Sequence, residues 1–130
     1  PTGQWPEAIH PWTEGGCMGD GQHGWAAVEF VQLVRSLFVR EEEDRLILGS
    51  GLLPEWLRSG EALSYGPTLT AFGRLVLRLE GAPDGTLRLG LETDWHASPP
   101  LLEARVPGYR PRVDFDPAET LTLEPEKETP

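Results

Sequence analysis

Between residues 25 and 38, apolar side chains fall at Trp25, Val28, Val31, Leu33, Val34, Leu37 and Phe38. Steps of three and four put them on a helix, and together they cover more than one narrow stripe of it. The segment is expected to be helical from about Asp20 or Gly24 to Arg40, with the Asp20 carboxylate accepting first-turn backbone N–H groups as N-cap. The charged run "REEED", Arg40 to Asp44, is expected to close the helix as a solvated stretch. After it the period shortens to two. In "FGRLVLRLEG", Leu75, Leu77 and Leu79 face one way and Arg74, Val76 and Arg78 the other. In "TLRLGLET", Leu87, Leu89 and Leu91 share a face, and "GAPDG" between the two runs is a hairpin-turn signal. "RLILGSG" reads as a short strand entering a turn, "LLPEWL" as a short helical turn with Pro54 early in it, and "EALSYGPTLT" as a weak strand. "LLEARVPG", "PRVDF" and "ETLTLEP" supply further short strands.

Short strands separated by Gly and Pro turns predict an antiparallel sandwich. No helical crossover of the kind that implies a parallel sheet stands between them, and no internal repeat is visible. The expected fold class is mainly β: an antiparallel β-sandwich-like sheet with one N-terminal buried α-helix. The expected division is residues 1–43 for a Gly-rich loop and the apolar helix, 44–125 for the sandwich, and 126–130 for a frayed tail. A helix apolar on most sides expects cover on most sides. One small sheet system does not supply that much, so the helix calls for a neighbour: a second copy, or the rest of a larger protein.

Composition narrows the partners. The chain has 130 residues, which suits one domain with a modest core. Five Trp and an ordinary apolar fraction speak for a folded chain. A formal net charge of -10 argues against nucleic acid, where counterion release needs clustered Lys and Arg, and equally against an anionic membrane surface. Neutral partners such as sugars, and cationic ones, fit this charge. One Cys excludes an intrachain disulfide. No window is apolar enough to span a bilayer and no signal-peptide pattern opens the chain, so the expected location is the cytoplasm. Asn is absent, Lys occurs once at Lys127, and Arg is frequent. GC-rich coding explains this, with thermophily as a second reading.

Candidate chemistry concentrates in "WPEAIHPWTEGGCMGDGQHGWAAVEF", Trp5 to Phe30. His10, Cys17, Asp20 and His23 are metal-capable, but no pair has the spacing that sets two ligands on one face, so neither a metal nor any other cofactor is expected. Cys17 with His10 or His23 has the makings of a thiolate pair, yet a lone Cys between Gly16 and Met18 is more often a small packed residue. The glycines at 15–16 and 19–21 match neither a P-loop nor a dinucleotide fingerprint, and read as backbone freedom before a helix. Carboxylate chemistry fits better. Glycoside hydrolysis needs two carboxyl groups, about 5–5.5 Å apart for retention and about 6.5–9.5 Å apart for inversion. Glu7 follows a Trp-Pro step in a loop rich in rings and is the candidate catalytic carboxylate, with Glu14 and Asp20 behind it. Trp5, His10, Trp12 and His23 are the candidate substrate-binding residues around it. Each carboxylate has a plain alternative: Asp20 as helix cap, Glu14 as exposed turn residue, Glu7 as surface carboxylate.

The same stretch, followed by an apolar helix, an acidic break and "GLLPEWL", resembles the C-terminal end of bacterial glycoside hydrolase-like proteins. These carry an (α/α)6-barrel related to those of glucoamylases, glycogen-debranching glucosidases and rhamnosidases. "GGCMGDGQHGWAAVEF" is the most specific part, and "YGPTLTAFGRLVLRLEG" looks like a segment of the small β-sandwich that follows the last barrel helix in such proteins. The resemblance covers about residues 4–80 and implies that the apolar helix is a terminal barrel helix, with Glu7 placed where a late catalytic or sugar-contacting carboxylate stands. The family pattern has a basic residue and a glycine where this chain has Trp12 and Glu14.

Three functional expectations result. The leading one is an accessory, structural C-terminal region of a glycoside hydrolase-like protein, not an enzyme alone. The second is a free-standing carbohydrate-binding sandwich with Trp12, Trp56 and Trp95 as stacking platforms, against the commoner packed role of Trp. The third is a small self-associating protein that covers its apolar helix with a twin.

Overall fold

A computed structural model describes residues 6–18, 23–57, 60 and 62–126. By packing, the chain falls into two units, residues 1–35 and 36–130. In the first, β1 (Ala8–Ile9) and β2 (Gly16–Met18) pair as an antiparallel hairpin. Gly16 sits where Pro6 crosses close by, and a Cβ there would lie 3.0 Å from the Pro6 Cβ. The helix α1 then runs from Gly24 to Phe38. It stops two residues short of the expected Arg40, because Val39–Glu42 is already a strand, β3. The run "REEED" is thus not a solvated helix end. Its first three residues belong to the edge strand of a sheet, where charged side chains are favoured.

The helix expected to be buried is not buried within this chain: no α1 residue is buried, and Trp25, Val31 and Leu33 are 79%, 63% and 61% exposed. Its C-terminal end is anchored in the second unit. There the Phe38 carbonyl accepts the Gly49 N–H at 2.8 Å, and the Leu37 carbonyl accepts the Gly51 N–H at 3.1 Å. The Phe38 ring lies on Tyr65, centroids 4.4 Å apart and planes nearly parallel.

The second unit holds two four-stranded sheets. One has β4 (Arg45–Leu48), β8 (Leu101–Ala104) and β9 (Arg112–Val113) beside β3, in the order β3-β4-β8-β9. The other has β5 (Ala62–Thr70), β6 (Gly73–Gly81), β7 (Leu87–Trp95) and β10 (Leu121–Leu123), in the order β10-β7-β6-β5. Most pairs are antiparallel, but β4 and β8 run parallel, Arg45 opposite Leu101 through Leu48 opposite Ala104. The crossover between them is not a helix. It passes through the whole β5–β7 meander of the other sheet, so the absence of a helical crossover carried no information here.

Alternation builds the core. Leu75, Leu77 and Leu79 of β6 and Leu87 and Leu89 of β7 meet Leu46, Leu48, Val39, Leu102 and Ala104 of the other sheet, all at 2% exposure or less. Burying one such Leu contributes about 1.5–3 kcal/mol. The "GAPDG" signal forms the β6–β7 turn, closed by the Ala82 N–H donating to the Thr86 carbonyl at 2.8 Å. Asp84 Oδ1 accepts from the Thr86 hydroxyl at 2.7 Å and the Thr86 N–H at 3.0 Å, which holds its carboxyl below the ordinary Asp value. Gly73 is required at the head of β6: its φ is +146°, and a Cβ would run into the Asp94 carbonyl oxygen. "LLPEWL" contains a 3-10 turn at Pro54–Leu57, as its early Pro suggests.

The other face of the first sheet is closed by charge. Ile47 is buried there beside Glu103, its register partner on β8. Glu103 is 3% exposed and is held by two guanidiniums: Arg105 Nε donates at 2.7 Å and Arg45 Nη1 at 3.5 Å. A buried carboxylate is tolerated because both of its oxygens are paired.

Candidate functional site

The candidate residues lie in the first unit. His23 immediately precedes α1 and caps it. Its carbonyl accepts the Ala27 N–H at 3.1 Å, and its Nδ1 accepts the Ala26 N–H at 3.4 Å. That is the N-cap arrangement, with an imidazole nitrogen in the place usually taken by a Ser or Asp oxygen. Because Nδ1 accepts, the ring proton belongs on Nε2, and Nε2 lies 3.4 Å from Glu7 Oε2. One neutral tautomer therefore serves both contacts, tying the chain before β1 to the start of the helix. Asp20, expected as the cap, falls outside the described residues, as does Trp5.

His10 has a similar local task. Its Nδ1 accepts the Trp12 N–H at 3.2 Å and the Thr13 N–H at 3.4 Å, and its carbonyl accepts the Glu14 N–H at 2.9 Å. These bonds fold the six-residue connection between β1 and β2 (residues 10–15). Glu14 occupies the left-handed region in that turn, with φ 55°. Trp12 projects from the same turn with its side chain 87% exposed. Cys17, expected as a packed residue, is instead exposed on β2. The other two candidate stacking platforms are less open. Trp95 is partly buried against the core, and Trp56 lies parallel to Phe38, centroids 6.5 Å apart.

Glu7 and His23 share an open cleft of about 470 Å³ with Glu29, Trp25, Ala26 and Val28. Glu29 did not emerge from the sequence as a site residue. The signal was present: Trp25 and Glu29 stand four apart on α1 and so share a face. Chemically the cleft offers two carboxylates as hydrogen-bond acceptors, one imidazole committed to capping, and one exposed indole ring. Such a set can hold hydroxyls or a cation. No group of three or more metal-capable side chains occurs among the described residues. No helix among them is long and apolar enough to cross a membrane.

Comparison with protein-family models, with curated proteins and with solved structures finds no match.

Proposed function

We propose that this chain is an accessory, structural region of a glycoside hydrolase-like protein, with α1 as a helix that completes a larger helical body and the sandwich as the domain that accompanies it. The reading rests on one observation above all: a fifteen-residue helix, apolar on most sides, none of whose residues is buried. Helices of that kind occur in protein interiors. The resemblance of "GGCMGDGQHGWAAVEF" to the end of an (α/α)6-barrel gives that interior a kind. In this reading the opening loop lines one edge of the parent protein's carbohydrate site, and the setting is cytoplasmic.

The chain alone is then expected to leave aryl glycosides intact and to show no change in Trp fluorescence with oligosaccharides. Turnover by the isolated chain that disappears in Glu7→Gln would overturn the proposal in favour of a self-sufficient hydrolase. The exposed helix also suits self-association. Sedimentation at several concentrations separates that reading, because a strict monomer rules it out.

A further inference from the structure

The cleft beside α1 carries a charge that an apolar partner alone does not satisfy. Glu7 and Glu29 both line it, and no lysine or arginine is among its described lining residues. The single imidazole, His23, meets Glu7 at Nε2 and does not match two carboxylates. Around the cleft, Trp25, Val28 and Val31 are exposed. Covering them with another apolar surface would take both carboxylates out of water, and an unpaired buried carboxylate is costly. A cation delivered with the cover removes that cost, and the Trp25 ring adds a favourable face for it.

We propose that the surface covering α1 is a protein helix, apolar toward α1, that places a lysine or arginine in the Glu7–Glu29 cleft. The inference rests on the reading of α1 as a helix completed by a larger body, and it adds the chemistry of that body. A second copy of this chain is a poor match. Residues 1–35 hold Glu7, Glu14, Asp20 and Glu29 against Arg35 alone, so two copies meeting through this unit would bring like charges together.

Three labelled 18-residue helical peptides with one leucine face test it, their remaining positions being Lys, Gln or Glu. Anisotropy titration against the full chain is expected to show the Leu/Lys peptide binding about tenfold tighter than Leu/Gln, with Leu/Glu weakest. The Glu7→Gln/Glu29→Gln double variant should erase that difference. The amide oxygen introduced by Glu7→Gln still accepts from His23 Nε2, so the cap is kept, and Glu29→Gln alone gives a smaller loss in the same direction. A control pair on the second unit, Glu119→Gln/Glu124→Gln, should leave the difference within about twofold. Equal binding of the Lys and Gln peptides would overturn this inference while leaving apolar docking in place. An equal effect in both double variants would overturn it as general attraction to an acidic protein. No binding by any peptide also overturns it, whereas the parent reading stands or falls on the glycoside and sedimentation assays.

Discussion

Strand β6 and helix α1 both carry a dense apolar run, and they dispose of it in opposite ways. Leu75, Leu77 and Leu79 are at 2% exposure or less, while Leu33 on the helix is 61% exposed. The difference is one of supply. For β6 the covering leucines come from β4 and β8 in the same chain. For α1, helical period and apolar content are right, but none of its residues is buried. Hydrophobic pattern decides which face an element would bury. Whether that face is buried depends on whether the partner is present.

The contrast can be broken by mutation. Leu77→Ala is expected to destabilise the second unit by about 2–5 kcal/mol in urea unfolding, since it leaves a cavity between the sheets. Gly73→Ala should cost about 1–3 kcal/mol by the same measurement, because the residue is held at positive φ against the Asp94 carbonyl. His23→Ala removes the cap and the Glu7 contact. It should cost about 1 kcal/mol, read as lost helical circular dichroism with the unfolding midpoint of the second unit unchanged. Leu33→Ser should move stability by no more than about 0.5 kcal/mol while reducing the binding of a hydrophobic dye. A loss from Leu33→Ser as large as that from Leu77→Ala would erase the contrast and show the helix to be covered.

What could be read from the sequence follows the same line. The β6–β7 hairpin is plain because its leucines alternate strictly and "GAPDG" marks its turn. β5 looked weak because Gly66 and Pro67 interrupt it, and the register with β6 shifts between Tyr65 and Thr68 at that point. β3 was hidden inside "REEED" because an edge strand tolerates charges that a central strand does not. One of them, Glu41, accepts the Ala71 N–H at 2.9 Å and ties the edge strand to the β5–β6 turn. The parallel pairing of β4 with β8 joins segments more than fifty residues apart, and no local pattern encodes it. In the site, Glu7 and His23 were both legible as chemistry-bearing residues, but their contact with each other was not, nor was the imidazole as cap. His is an uncommon N-cap, so composition pointed to Asp20 instead. Glu29 escaped because it is a polar position on an apolar helix, outside the loop that concentrates the reactive side chains.

The most direct test of the account is hydrogen exchange, read residue by residue on the chain alone. A fifteen-residue helix without tertiary cover is marginal in water, whereas core strands exchange only through global unfolding. The amides of Val28 to Val34 are expected to exchange at least roughly a hundredfold faster than those of Leu75 to Leu79, at every protein concentration, from the gap between local and global opening. Equal protection of the two segments would contradict the account, because it would mean that this chain already supplies the cover α1 lacks.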